Sequence, residues 1–140
     1  MTRTSFDIEV IRDYLGPKVF ARGEGYAEQQ RVEIVSLDDD QVLAHVDGTE
    51  TYVVEMTISE NAGICTCPAF EDWGLCKHLA AVALVHNDLS ASDVAEARGR
   101  ISRLRDGLAL DSREALIERL VELARRDPNV LAKLEGNSDI

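Results

Sequence analysis

The chain has 140 residues, enough for one domain with a moderate core and an appended helical piece. Apolar residues make up 45% of it, which excludes an extended disordered polymer, and no run approaches the roughly 18 apolar residues of a membrane helix. The formal net charge is -11, with 13 acidic and 5 basic groups in residues 1–64. That field repels phosphate backbones and disfavours DNA as a partner unless a local basic face exists.

In chain order, Phe6 to Leu15 reads as a short helix. Thr4 or Ser5 is its candidate cap, and Phe6, Val10, Ile11, Tyr14 and Leu15 form one stripe. Gly16-Pro17 ends it. Val19 to Gln29 reads as a second helix, weakened by Gly23 and Gly25, with Phe20 and Tyr26 packing into a core. Three strands follow. Arg31 to Leu37 holds Val32 and Ile34 on one face, and Gln41 to Val46 holds Val42, Ala44 and Val46. Thr51 to Ile58 alternates, with Tyr52, Val54, Met56 and Ile58 inward, the pattern of an antiparallel sheet with one wet face. Asp38-Asp39-Asp40 is expected to be a solvated turn rather than a hard-cation site, because no further oxygen ligands lie nearby in sequence. Asp47-Gly48 signals a hairpin. Ser59 to Gly63 turns the chain, and Ile64 to Cys67 makes a last short strand.

The next stretch holds all three cysteines and one of the three histidines: Cys65-Thr66-Cys67-Pro68-Ala69-Phe70-Glu71-Asp72-Trp73-Gly74-Leu75-Cys76-Lys77-His78. The pattern is C-x-C, eight residues, C-x-H, and it supplies the four soft or borderline donors of a tetrahedral zinc site. Residues two apart share a face on a strand, so Cys65 and Cys67 converge at a strand end that Pro68 stops. Residues two apart on a helix lie about 200° apart, so Cys76 is placed just before a helix and His78 in its first turn. Gly74 is a flexible point in the loop between the pairs. One disulfide plus a free thiol is the competing arrangement. An odd cysteine count without a signal peptide argues against it, and free thiolates suit a reducing, cytoplasmic compartment.

These residues, with the following Leu79-Ala80-Ala81-Val82, resemble the SWIM zinc finger, and Asp72 to His78 resembles the segment ahead of that family's helix. The resemblance covers roughly residues 20 to 90. It implies zinc ligation by Cys65, Cys67, Cys76 and His78. It also links the chain to proteins of DNA transactions and to protein partners, without carrying any one partner across.

His78 to Leu89 is apolar all round from Leu79 to Val85, the mark of a helix buried on most sides. His86 reads as a surface histidine near its C-terminus, and His45 faces outward on a strand with no assigned role. Asn87 to Ser92 reads as a linker. Ser92 to Leu108 places Val94, Ala97, Ile101, Leu104 and Leu108 in a two-heptad seam. It also carries the one basic cluster, Arg98, Arg100, Arg103 and Arg105, diluted by Asp93, Glu96 and Asp106. Asp111 to Arg126 is a helix capped by Asp111 with Glu114 placed for a capping box, and its apolar face runs from Leu116 to Ala124. Asp127-Pro128 starts a short helix with Val130, Leu131 and Leu134 on its buried side, Gly136 ends it, and Asn137 to Ile140 are expected to fray.

The expected architecture is α+β: a small antiparallel sheet and a buried helix joined at a zinc site, with helices before the sheet. Residues 1–90 form the finger domain, and residues 91–140 a C-terminal helical extension packed on the same core. Four protein ligands close the sphere, so one Zn2+ per chain would be structural and would supply folding free energy on the order of 10 kcal/mol. A protein partner is expected. The contact surfaces are the Phe70 to Leu75 loop with Trp73, then Lys77 and the C-terminal helices. Trp73 packed over the metal is the other placement. The alternative is a nucleic-acid-binding module using Arg98, Arg100, Arg103 and Arg105. A third possibility is a purely structural subunit that docks through residues 92–140. No membrane and no small-molecule substrate is implied. Catalysis is a remote alternative: Glu71 or Asp72 would have to serve as base beside an open zinc, or Cys76 and His78 as a thiol pair, and no catalytic motif is present.

Overall fold

The computed structural model describes residues 5–136. The candidate cap Thr4 and the expected fraying of Asn137 to Ile140 lie outside the described residues. The chain divides into two compact units, Met1–Ile101 and Ser102–Ile140.

The first unit is α+β. Two helices, α1 (Ile8–Leu15) and α2 (Pro17–Glu28), precede strands β1 (Val32–Asp38), β2 (Gln41–Asp47), β3 (Thr51–Thr57) and β4 (Ala62–Cys65). A short helix α3 (Pro68–Trp73) leads to α4 (Lys77–Asn87), and α5 (Ala91–Ala97) follows. The strands form one antiparallel sheet in the order β1-β2-β3-β4. Helix α4 packs against α1, α2 and all four strands. Leu79, Ala80, Ala81, Val82 and Ala83 are all buried in it, as an all-round apolar helix requires.

The inward residues of β2 and β3 are those the alternation selects: Val42, Ala44, Val46, Tyr52, Val54 and Met56, with Ile58 just beyond. Strand β1 departs from its pattern. Its register with β2 shifts between Ile34 and Ser36. After the extra residue of that bulge Ser36 stands opposite Leu43, on the face away from Val42 and Ala44, yet both Val35 and Ser36 are buried. Buried Ser36 is satisfied, donating to Asp38 Oδ2 (3.1 Å) and accepting from the Ile101 N–H (3.1 Å). In the acidic turn, Asp40 binds the backbone N–H (2.9 Å) and hydroxyl of Ser59, which fastens one hairpin to the next. Strand β4 begins at Ala62, two residues earlier than expected, because Gly63 allows close pairing. A Cβ there would lie 2.3 Å from the Glu55 carbonyl oxygen.

The N-terminal helix starts later than its stripe suggested. Asp7, not Ser5, caps it by accepting from the Val10 N–H (3.3 Å). Phe6 therefore precedes the helix and is buried with Ile11 and Leu15, whereas Val10 and Tyr14 are exposed. Phe6 is held by Asn87, which accepts from its N–H and donates to its carbonyl oxygen, both at 2.9 Å. His86 is not a surface residue: it is buried, edge-on to the Phe6 ring at 5.1 Å. Asn87→Ala removes both bonds to a backbone 81 residues away, and about 1–3 kcal/mol of stability should be lost. The urea midpoint should fall while zinc content stays unchanged. An unchanged midpoint would mean the clasp contributes nothing.

The expected continuous helix over Ser92 to Leu108 is broken. Ser90 caps α5 by accepting from the Asp93 N–H (3.1 Å), and α5 ends at Ala97. Helix α6 (Arg100–Ala109) starts after Gly99, whose φ of 67 lies in the left-handed region. The Gly99 N–H donates to the Leu37 carbonyl oxygen (2.8 Å), and Arg98 forms a parallel bridge with Leu37. This β-type contact with β1, made by Arg98 and Gly99, interrupts the heptad seam.

In the second unit, Ser112 rather than Asp111 caps α7 (Arg113–Arg126), accepting from the Ala115 N–H (3.1 Å). Asp111 instead approaches Arg119 at 2.9 Å. Helix α8 (Pro128–Glu135) is capped by Asp127 and ends at Gly136, as expected. Its buried side is not realised: Leu131 and Leu134 are exposed, and so are Ile117, Leu120, Val121 and Leu123 of α7, leaving only Ala124 fully covered. Helices α7 and α8 pack on each other, and a helix pair is too small to hide both stripes.

Candidate metal centre

Cys65 ends β4, opposite Val54 of β3. The Thr66 N–H and hydroxyl extend that pairing by one residue, bonding the Val53 carbonyl oxygen (3.1 Å) and N–H (2.9 Å). Cys67 is not on the strand. It is the N-cap of α3, with Pro68 at the first helical position, so proline here starts a helix as well as stopping a strand. The segment expected to be a loop is largely this helix. Gly74, at φ 73, ends it in the left-handed conformation that glycine accepts without strain. The chain then reaches Cys76, the N-cap of α4, and His78 in the first turn of that helix, where the spacing argument had put them.

One donor atom from each of Cys65, Cys67, Cys76 and His78 lies within 4.8 Å of the others, and all four residues are buried. None of the cysteines is in a disulfide. The Cys65 Sγ to His78 Nδ1 distance is 3.6 Å. Tetrahedral zinc with bonds of about 2.3 and 2.0 Å sets sulfur and nitrogen about 3.5 Å apart, so the group fits the ion. Backbone N–H groups also point at the sulfurs, Cys67 N–H to Cys65 Sγ at 3.5 Å and Phe70 N–H to Cys67 Sγ at 3.4 Å. Both favour negative sulfur. The His78 ring is held by two tyrosines, Tyr26 edge-on at 5.2 Å and Tyr52 tilted at 5.0 Å. Its Nε2 is buried without a hydrogen-bond partner among the described residues, so on that side aromatic packing positions the ring.

The electrostatics also ask for a cation. Cys76 is pushed up to about 12, first by its hydrogen bond with Cys65 and then by burial. Burial also raises Cys67. Sulfurs packed this tightly cannot all be thiolates unless a bound dication deprotonates them. A bound zinc would therefore have to expel at least the Cys67 and Cys76 protons near neutral pH. Apparent zinc affinity should then rise by at least about a hundredfold per pH unit, about tenfold for each of these two protons. Competition with a chelator at two pH values, corrected for the chelator's own protonation, measures this slope. A flat profile would contradict the assignment of the sulfurs.

A four-stranded sheet and a buried helix that share a closed Cys3His group define a metal centre of the zinc-finger class. Residues 34–87 match the SWIM zinc finger family model, a segment that opens within β1, contains all four donors and closes with α4. No curated protein matches the chain. No solved structure matches it either. The donor set and the SWIM match together support zinc binding.

Of the other candidate residues, Trp73 and Lys77 both line a groove beside the metal group. Trp73 is 76% exposed at the end of α3 and does not pack over the metal group. Lys77 is half-buried, its Nζ 5.0 Å from the Tyr26 ring centroid. Of the four arginines, Arg100, Arg103 and Arg105 lie on α6, and Arg98 precedes it. Arg98 sits at the helix break bridged to Leu37, and Arg100 donates to the Val35 carbonyl oxygen at 3.5 Å. Arg103 and Arg105 belong to the second unit. Sequence reasoning passed over the two tyrosines around His78. Tyr52 was legible only as an inward strand residue and Tyr26 only as core.

Proposed function

We propose that the chain is a non-catalytic zinc-dependent interaction module, with one Zn2+ per chain held by Cys65, Cys67, Cys76 and His78. The observation that carries this is the burial of four donors at the junction of β4, α3 and α4, where an ion would tie sheet to helix. Four protein donors fill a tetrahedron and leave no position for an activated water, which favours a structural over a hydrolytic metal. Thiolate ligation suits a reducing compartment such as the cytoplasm. No helix among the described residues is long and apolar enough to cross a membrane.

A protein partner is favoured over DNA. The first unit holds 8 basic and 18 acidic residues, and Arg98 and Arg100 are already counted among the basic ones. Metal analysis of protein purified without added metal tests the zinc assignment, and one zinc per chain is expected. Titration with duplex DNA at low and moderate salt tests the partner class. Salt-dependent binding abolished by replacing the four arginines with alanine would reverse the preference.

A further inference from the structure

Beside the metal group lies a groove of about 490 Å³, within the usual range of about 300–1,000 Å³ for ligand pockets. Its floor is apolar, with Val19, Leu75 and Tyr52 among the residues that form it. Trp73, on its rim, is the most exposed aromatic ring of the described chain. Two cations, Arg22 and Lys77, also line it, and no carboxylate does. Among the described residues neither cation is in an ion pair, and Lys77 rests on the Tyr26 ring. In a unit with more than two acidic residues for each basic one, a carboxylate-free groove with two open cations is a local reversal of charge.

We propose that this groove, between α2, α3 and the start of α4, is a docking site for a peptide segment carrying an apolar or aromatic side chain next to acidic residues. The apolar side chain lies against Trp73 and Leu75, and the carboxylates meet Arg22 and Lys77. The volume is far larger than the space one zinc ion takes, so the groove is additional to the metal centre although Cys67, Cys76 and His78 form one wall of it. The ion keeps that wall in place, and the inference rests on the interaction-module reading above. The surrounding negative charge makes a peptide a better occupant than single-stranded nucleic acid. Two cations can steady a carboxylate pair, but they cannot carry a phosphate chain past an acidic body.

Trp73 is the chain's single tryptophan, so its fluorescence reports on the groove alone. The probes are ten-residue peptides with one phenylalanine followed by two aspartates, the same peptides with asparagines for aspartates, and the same with serine for phenylalanine. The zinc-loaded full chain is used, with zinc content and circular dichroism recorded on each sample. The expected result is a saturable change in Trp73 emission with the first peptide. Binding should weaken about tenfold for either control peptide and for Arg22→Glu or Lys77→Glu, one charge-assisted contact each. Leu131→Ser, in the other unit, should bind as wild type does. A folded, zinc-loaded chain that gives no saturable change with any peptide overturns the groove and leaves the zinc assignment standing. So does binding that the two charge reversals leave unaltered. Saturable binding of oligothymidylate in place of the peptides also overturns it. A chain without zinc shows up in the metal analysis, as a failure of the underlying zinc assignment.

Discussion

Cys76→Ser should unfold the first unit and abolish zinc retention. Cys76 caps α4, is buried, and lies in the cluster that joins this helix to β4 and α3. A structural zinc contributes folding free energy on the order of 10 kcal/mol, and a domain's whole stability is about 5–15 kcal/mol. Loss of one ligand therefore consumes most of the margin. Far-UV circular dichroism and metal content are the measurements, and a strong chelator added to the wild-type chain should reach the same end state. That second arm separates loss of the ion from any packing effect of serine. A cooperative, unshifted thermal transition in the variant would show that the sheet and α4 hold together without the metal.

Gly23→Ala should destabilise the protein although it improves a helix. Alanine is favoured over glycine by up to about 1 kcal/mol in a helix interior. At Gly23, however, the new Cβ would lie 2.5 Å from the Ala80 Cβ and 2.7 Å from the Lys77 carbonyl oxygen. Neither obstacle is the end of a flexible side chain, so α2 must move off α4. Overpacking of this kind costs about 1–3 kcal/mol or more, and the clash wins. The melting temperature should fall by about 4–8 °C per kcal/mol lost. Zinc should also pass to a chelator faster, because Lys77 lies between the ligands Cys76 and His78. Gly25→Ala, two residues on, is the matched control. Its Cβ would meet only the Gln29 side-chain nitrogen at 3.9 Å, so that change should stabilise. If both variants shift the same way, close approach of the helices is not what the glycine serves.

The metal group was legible in the sequence because its chemistry is local. Two close pairs of donors, a strand pattern before and an apolar helix after leave few ways to arrange Cys65, Cys67, Cys76 and His78. Periodicity likewise located β2, β3 and α4. It could not see that Cys67 leaves the strand to cap α3, since strand exit and helix cap both accept the Cys67-Pro68 pair. The bulge at Val35 was hidden for a related reason: an inserted residue is visible only against its partner strand. Stripe patterns on α7 and α8 described which residues share a face, but periodicity carries no information about what, if anything, covers that face. Buried His86 and the Asn87 clasp depend on Phe6, 80 residues away, and no local pattern encodes such a contact. The break at Arg98 and Gly99 was hidden because the regular 3-4 spacing of Val94, Ala97, Ile101, Leu104 and Leu108 runs across it unbroken.

That glycine matters for how separate copies meet. Strand β1 is the outermost strand of its sheet, and an uncovered outer strand is a template for pairing with a foreign chain. Arg98 and Gly99 occupy part of its hydrogen-bonding rim. On the opposite side β4 is four residues long and runs directly into the metal group, a poor seed for a fibril. The helix break thus acts as a guard against cross-β growth, and a longer, unbroken helix at the same place would have left β1 open to aggregation.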